Sequence, residues 1–208
     1  MTRRKILMLS VAAAGWLAAV RVGGLPRPAL GEEPLFDDDR IFGEPDAPVT
    51  IIEYSSLTCP HCASFHENTL PKVNEDWIAK GKARIVYRHF PFDALGLRAA
   101  SVANCIEGDR HFAFLDALFR GQKIWTRADD PIAALAQVAA LAGLDRARFD
   151  SCIADQEEMD RIVARAQHGR TIYDVQSTPT FIINGRKVVG AVGYDEFNKV
   201  LEEVAAQS

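Results

Sequence analysis

Two cysteines that stand two residues apart are the best candidates for chemistry in this sequence. The motif Cys59-Pro60-His61-Cys62 follows an apolar, strand-like run at residues 49–54 and precedes a run of helical character. This order places Cys59 at the start of a helix, where backbone N–H groups are unpaired and the helix dipole is positive. A thiolate is stabilised there, so we expect a lowered pKa for Cys59 and a sulfur that is reactive and leaves readily. The motif therefore predicts disulfide exchange with other proteins.

The two residues between the cysteines bear on the direction of that exchange. Pro60 suits the first position of a helix, and His61 can donate a hydrogen bond to the Cys59 thiolate or place positive charge beside it. A stabilised thiolate favours the reduced form, which makes the disulfide the stronger oxidant. The pair Pro60-His61 therefore favours oxidation of the substrate.

A structural bridge and a metal site are the competing interpretations of the motif. The chain has no second pair of cysteines at this spacing to complete a four-cysteine zinc site. His66 lies four residues after Cys62, on the same face of the predicted helix. Its imidazole is therefore a candidate ligand for copper or zinc beside the two cysteines. The alternative function is therefore a copper-binding metallochaperone module that uses Cys59, Cys62 and His66, with His61 nearby.

The N-terminal residues have the composition of an export signal. Arg3-Arg4-Lys5 precede residues 6–20, an uncharged stretch shorter than the ~20 residues that a membrane-spanning helix needs. Residues 1–31 are predicted to be a signal peptide cleaved after Gly31, with an uncleaved anchor as the alternative. Residues 2–7 are also similar to a twin-arginine signal. Export would bring the four cysteines into an oxidising compartment, where disulfides persist.

Composition limits the remaining classes of function. The 208 residues are 48% hydrophobic and 25% charged, which suits one globular domain or one domain with a large insertion. The formal net charge is −4, and the sequence has no basic stripe interleaved with aromatic residues. These features exclude nucleic acid as an expected partner.

Hydrophobic periodicity predicts a mixed sheet with a helical block inserted into it. A bent helix from Pro60 to about Lys80 joins the strand at residues 49–54 to a strand at 83–90, which makes the two strands parallel. Residues 94–170 read as an all-helical insertion between residues 32–93 and 171–208. The dipeptide Asn184-Gly185 then predicts a hairpin, and a last helix follows.

The order of these motifs resembles the DsbA-like thiol:disulfide oxidoreductases of bacterial cell envelopes, which have a thioredoxin fold with a helical insertion. The resemblance spans roughly residues 42–205, and its motifs are residues 43–49, Cys59-Pro60-His61-Cys62, residues 177–181 and Asn184-Gly185. It implies an α/β thioredoxin fold in which Cys59 is the nucleophile and Cys62 its resolving partner.

The resemblance also implies roles for residues outside the motif. Pro179 is expected to be cis, which leaves the Thr178 backbone free to pair with a substrate strand. Glu53 is expected to be a buried acid that relays a proton to or from Cys62; a strand-end acid that faces solvent is the alternative. The remaining cysteines, Cys105 and Cys152, are expected to form a structural disulfide, although four cysteines allow three connectivities. Two free cysteines or a second redox switch are the alternatives there.

The expected function follows from the same resemblance. It implies a periplasmic enzyme that donates the Cys59–Cys62 disulfide to reduced or unfolded exported proteins and is reoxidised by a quinone-linked membrane partner. It implies no dissociable cofactor and no resident metal. An isomerase or reductase of the same fold is the nearest alternative.

Overall fold

A mixed sheet of five strands forms the centre of the computed structural model, which describes residues 34–108 and 110–207. The predicted signal peptide therefore lies outside the described residues. The strands are, in chain order, β1 (Ile41–Phe42), β2 (Val49–Ser55), β3 (Ala83–His89), β4 (Thr180–Ile183) and β5 (Arg186–Val189). In space their order is β1-β3-β2-β4-β5, and only β2 and β3 are parallel. The mixed sheet expected from the sequence is confirmed.

The connection between β2 and β3 is helical, as predicted, and it is divided into three consecutive pieces. It consists of α1 (Pro60–Asn68), α2 (Leu70–Val73) and a π-helical turn at Asn74–Ile78. The break falls at Thr69, and Pro71 lies in the first turn of α2, where its missing N–H costs no helical hydrogen bond. The helix that begins at the cysteine motif is therefore short.

Between β3 and β4, all of the described regular secondary structure is helical. It contains α3 (Ala94–Asn104), α4 (Arg110–Arg120), α5 (Gln122–Trp125), α6 (Pro131–Leu141), α7 (Arg146–Ile153) and α8 (Gln156–Tyr173). Aspartates cap α6, α7 and α8 by accepting hydrogen bonds from backbone N–H groups. The helical insertion expected from the sequence is confirmed, and α8 continues to Tyr173, beyond the predicted boundary at residue 170.

Gly169 lies inside α8 rather than at its end. A Cβ atom at this position would lie 2.5 Å from the Tyr54 ring, so only glycine allows α8 to pack this closely against β2. The helix ends instead at Asp174, which has a positive φ of 51°. The glycine is thus a packing residue, and the terminus is set five residues later.

The C-terminal hairpin and helix follow the sequence prediction closely. Asn184 and Gly185 both have positive φ, as the two central residues of a type I′ turn require. The last helix, α9 (Tyr194–Ala205), is capped by Gly193, and Asp195 lies in its first turn rather than at the cap. One face of the sheet packs against α1 and α9, and the other packs against α8.

Candidate active site

The cysteine motif lies where β2 gives way to α1. Cys59 is the N-cap residue of α1, with the extended backbone that this position favours, and its carbonyl accepts hydrogen bonds from the N–H groups of Cys62 and Ala63. Both thiols of the motif are free in this structure. Cys59 is partly exposed, whereas Cys62 is fully buried. Only the outer sulfur can meet a large substrate.

The two thiols have opposite electrostatics. A hydrogen bond from the Cys62 thiol lowers the pKa of Cys59 to about 5, against the opposing effect of burial and with further help from Thr178. The backbone N–H groups of Cys62 and His61 act in the same direction. Burial raises the pKa of Cys62, and the neighbouring Cys59 raises it further. The pair therefore holds one thiolate, at Cys59, and one proton, at Cys62.

His61 contributes to the Cys59 thiolate through its backbone N–H group at the start of α1, which lowers the pKa of Cys59. Its side chain is exposed. The role expected for the imidazole stays a prediction.

The Thr178-Pro179 peptide is cis and lies against the cysteine motif. The carbonyl oxygen of Thr178 is 3.5 Å from Sγ of Cys59. The loop is held in place by hydrogen bonds from Gly190 N to the Pro179 carbonyl (2.8 Å) and from Thr180 Oγ1 to the Ser177 carbonyl (2.7 Å). A backbone acceptor is thereby fixed beside the exposed thiol.

Glu53 is paired with His66 inside the protein. Nε2 of His66 lies 3.0 and 3.1 Å from the two carboxylate oxygens, and both side chains are buried. The imidazole also stacks on Phe119, with 4.0 Å between ring centroids. Glu53 is thus not the solvent-facing acid that was the alternative.

The copper-binding alternative loses its ligand set for the same reason. His66 binds Glu53 rather than the two thiols, so Cys59, Cys62 and His66 do not converge. Within the described residues, no group of three or more His, Cys, Asp or Glu side chains is arranged to hold a metal ion. The shared helix face predicted from the spacing is correct, but the neighbouring strand supplies a closer partner for the imidazole.

Two polar residues that hold the motif in place were missed at the sequence level. Gln122 in α5 donates from Nε2 to the carbonyls of Leu57 (2.8 Å) and Cys59 (3.0 Å). Asp93, the N-cap of α3, accepts a hydrogen bond of 2.7 Å from Thr58 Oγ1. Asp93 precedes a helical run and is recognisable as a cap, whereas nothing local in the sequence distinguishes Gln122.

The other two cysteines form a disulfide in the helical segment. Cys105 is the C-cap residue of α3 and Cys152 lies in α7, with 6.2 Å between their Cα atoms. Cys152 is buried. The bond therefore joins α3 to α7 through two cysteines that are 47 positions apart in sequence.

Comparison with known proteins places this site in a family. A family model described as thioredoxin matches residues 36–203, which is most of the chain. The chain belongs to the thioredoxin family. Within it, the crystal structure of Wolbachia pipientis alpha-DsbA1 is similar to this thioredoxin-family chain at 33% identity and a TM-score of 0.77, covering 83% of this chain and 94% of that one. The DsbA-like resemblance seen in the sequence is confirmed.

Curated relatives of this thioredoxin-family protein carry related names. A Rickettsia bellii protein named as a protein-disulfide oxidoreductase is 26% identical over 72% of this chain, which spans 58% of that relative's length. Disulfide bond formation protein D of Bacillus subtilis is 23% identical, with 84% of this chain and 81% of the relative covered.

None of the described helices is both long enough and apolar enough to cross a bilayer.

Proposed function

We propose that the protein is a thiol:disulfide oxidoreductase that donates its Cys59–Cys62 disulfide to reduced proteins. The observation that carries this proposal is the asymmetry of the pair. Cys59 is partly exposed with a pKa lowered to about 5, and Cys62 is buried with a raised pKa. Such a pair has one sulfur for the substrate and one that stays within the protein.

The reaction proceeds in two exchange steps. A substrate thiolate attacks Sγ of Cys59 in the oxidised protein, the Cys59–Cys62 bond breaks, and Cys62 takes up a proton because burial disfavours its thiolate. A second substrate thiolate then attacks the substrate sulfur of the mixed disulfide, and Cys59 leaves as a thiolate. Two substrate thiols lose two electrons to form one disulfide, and the Cys59–Cys62 disulfide gains them and becomes a dithiol.

The surroundings of Cys59 support a protein as the substrate. The Thr178 carbonyl beside the thiol is placed to accept a hydrogen bond from an extended substrate backbone. Phe92 and Ile124 are exposed apolar side chains on the two segments that contact the motif through Asp93 and Gln122. Reduced, unfolded chains offer both an accessible backbone and apolar side chains, which favours them as substrates.

The lowered pKa of Cys59 supports oxidation over reduction or isomerisation. Hydrogen bonds that stabilise the thiolate stabilise the dithiol form as a whole, so the disulfide is driven to accept electrons. Measurement of the reduction potential of the Cys59–Cys62 pair distinguishes an oxidase from a reductase. A potential near that of thioredoxin, ≈ −270 mV, would move the assignment to a reductase.

The proposed location and partners complete the cycle. We place the protein outside the cytoplasm, in the periplasm, because the Cys105–Cys152 disulfide suits an oxidising compartment and residues 1–31 have the pattern of a signal. Its substrates there would be reduced exported proteins. A quinone-linked membrane protein would return the dithiol to the disulfide, since both electrons reside on the cysteines and no dissociable cofactor is needed.

Replacement of each cysteine of the motif tests the proposal directly. Cys59→Ser is expected to abolish oxidation of a reduced, unfolded protein with two cysteines, measured by loss of free thiols. Cys62→Ser in the presence of that substrate and an oxidant is expected to accumulate a mixed disulfide at Cys59, measured by mass spectrometry. Turnover that survives in Cys59→Ser would overturn the mechanism.

A further inference from the structure

A polar cavity of about 400 Å³ lies at the edge of the sheet, where the chain enters β1. Its walls come from the residues before β1, the end of β3, the C-terminus of α3, the start of α4 and the first half of α8. The polar side chains that line it include Arg40, His89, Asn104 and Glu158. We call it the sheet-edge cavity, and its volume is in the range that holds a small molecule.

Asn104 organises one wall of the sheet-edge cavity through three hydrogen bonds. Its Nδ2 donates to Oε1 of Glu158 at 2.6 Å, and its backbone carbonyl accepts from the Arg40 guanidinium at 2.7 Å. A carboxylate oxygen accepts hydrogen bonds, so the contact with Glu158 fixes the orientation of the amide. Oδ1 of Asn104 therefore faces Nε2 of His89, 3.1 Å away, and accepts its proton.

Nδ1 of His89 is left as an acceptor without a donor. Burial, with help from the neighbouring His111, lowers the pKa of His89 to about 3, so the imidazole is neutral near pH 7. A neutral ring has one N–H group, and Asn104 already accepts its hydrogen bond. The side chain is only 6% exposed, and Nδ1 has no hydrogen-bond partner among the described residues. A molecule in the cavity that offers a proton would satisfy this nitrogen.

The charges around the sheet-edge cavity leave one cation without a counter-ion. Four guanidinium groups and three carboxylates line the cavity. Three of the four form ion pairs, as Arg88–Asp39, Arg161–Glu158 and Arg165–Asp38. Arg40 forms no ion pair among the described residues, and its hydrogen bond goes to a backbone carbonyl. The lining thus carries one unbalanced positive charge, which favours an anion.

Arg40 and His89 lie close enough together to act on one small molecule, because both are hydrogen-bonded to Asn104. A guanidinium group binds the oxygens of a carboxylate or a phosphate. The bare Nδ1 of His89 needs a donor instead. An anion that also carries a hydroxyl group meets both requirements. A metal ion does not, since the described residues hold no group of three or more His, Cys, Asp or Glu side chains arranged to bind one.

We propose that the sheet-edge cavity binds a small anion that carries a hydroxyl group. Arg40 holds an anionic oxygen, and Nδ1 of His89 accepts the hydroxyl proton. Phosphates and hydroxycarboxylates share this chemistry. The site is independent of the proposed disulfide exchange, because none of its described lining residues hydrogen-bonds to Cys59 or Cys62.

Pairs of anions that differ in the hydroxyl group test this site. Phosphate is compared with sulfate, and lactate with propionate, by titration near pH 7 at constant ionic strength. Both ionic forms of phosphate at this pH carry a hydroxyl group that sulfate lacks. Binding is followed by NMR of the ¹⁵N-labelled histidine rings, where Nδ1 of His89 should shift as it gains a hydrogen bond. In at least one pair, we expect the hydroxylated anion to bind about tenfold more tightly, since its partner leaves Nδ1 unpaired.

The pair that shows this preference identifies the anionic group of the ligand. A preference for phosphate over sulfate indicates a phosphate, and a preference for lactate over propionate indicates a hydroxycarboxylate. Either result supports the site. Equal binding within both pairs, or no binding of any of the four anions, would overturn it. This comparison uses the parent protein alone, so it does not depend on the folding of a variant.

Two substitutions separate the two contacts. Arg40→Gln removes the unpaired cation and should weaken binding of the preferred anion about 30-fold. His89→Gln keeps an amide N–H group for Asn104 but has no counterpart of Nδ1, so it should bind both members of the pair equally. Parent-like affinity in Arg40→Gln together with an undiminished preference in His89→Gln would overturn the assignment.

Arg146→Gln is the matched control for the loss of charge. Arg146 is an exposed residue of α7 that pairs with Asp150 outside the cavity, so its replacement removes the same charge from the protein without touching the site. This variant should bind the preferred anion as the parent does. All three variants should keep the parent rate of disulfide exchange with dithiothreitol, which also reports that they are folded. Equal weakening in Arg146→Gln and Arg40→Gln would mean that net charge alone attracts the anion, and would overturn the site.

Discussion

The two cysteine pairs of this chain have the same side chains in opposite surroundings. Cys59 caps the N-terminus of α1, where the helix dipole favours a thiolate, whereas Cys105 caps the C-terminus of α3, where the dipole disfavours one. Cys59 is partly exposed beside a backbone acceptor, and Cys152 is buried between helices. The first pair is thus suited to exchange, and the second is suited to persist as a disulfide.

Loop length reinforces this difference. The Cys59–Cys62 bond would close a loop with two residues inside it, while the Cys105–Cys152 bond closes one with 46 residues inside it. Stabilisation by loss of chain entropy grows with the length of the closed loop. The second bond therefore contributes to the stability of the helical segment, and the first can open and close at smaller cost to the fold.

The largest expected effect comes from removing the second disulfide. The double variant Cys105→Ala/Cys152→Ala should lose about 4 kcal/mol of unfolding free energy, because the long loop between these residues is no longer closed in the unfolded chain. The rate of disulfide exchange at Cys59 should stay unchanged. Denaturant unfolding and a dithiothreitol stopped-flow assay measure the two quantities.

The converse double variant is the control for this comparison. Cys59→Ala/Cys62→Ala should abolish exchange while keeping most of the stability. A loss of exchange in the Cys105→Ala/Cys152→Ala variant at temperatures where it is folded would contradict the separation of the two pairs. It would instead favour the interpretation of Cys105 and Cys152 as a second redox switch.

Much of the fold and the outer part of the site followed from local sequence signals. The strand before Cys59 and the turn at Asn184-Gly185 each carry their own pattern, and both elements are confirmed by the structure. The proline of the cysteine motif likewise fixed the start of α1 at Pro60. Signals of this kind depend on adjacent residues, so one sequence is enough to read them.

The inner part of the site depends on contacts that no local pattern encodes. His66 was singled out only as a candidate metal ligand, and its partner Glu53 is 13 residues away on another element. Gln122 reaches Cys59 from 63 residues further along the chain. Glu53 and Tyr87 become neighbours only through the parallel register of β2 and β3. Such contacts follow from the packing of the sheet and helices rather than from spacing along the chain.

A smaller effect should follow from Gln122, a residue of the helical segment that hydrogen-bonds to the motif. Gln122→Ala leaves the carbonyls of Leu57 and Cys59 without this buried donor, so we expect a loss of about 1–3 kcal/mol in stability. The alkylation rate of Cys59 should also change, because its loop is less firmly held. The exposed neighbour Lys123→Ala is the matched control and should change neither quantity. Equal stability and equal Cys59 alkylation rates in the two variants would show that Gln122 does not couple the helical segment to the cysteine motif.

The smallest expected effect is a pH dependence confined to the first pair. The pKa of Cys59 is about 5 in the folded dithiol form, against about 8.5 in an unfolded chain. A lowered folded-state pKa contributes stability that is fully present above the unfolded value and is lost as the pH falls towards 5. The disulfide form does not titrate there. Cys62 stays protonated well below pH 8.5 in both states, because its unfolded pKa is about 8.5 and burial raises its pKa further in the folded state.

The melting temperature of the reduced protein should therefore exceed that of the oxidised protein most clearly near pH 8.5. The difference should shrink steadily down to pH 5, by a modest amount because Cys59 is partly exposed and solvent screens its charge. Thermal unfolding of both forms at half-unit pH steps measures it. Cys59→Ser should remove the trend, whereas Cys105→Ala/Cys152→Ala should keep it at a lower melting temperature. A difference that stays constant from pH 5 to 8.5 would mean that Cys59 is no more acidic than an ordinary thiol, and the contrast between the two pairs would then rest on exposure alone.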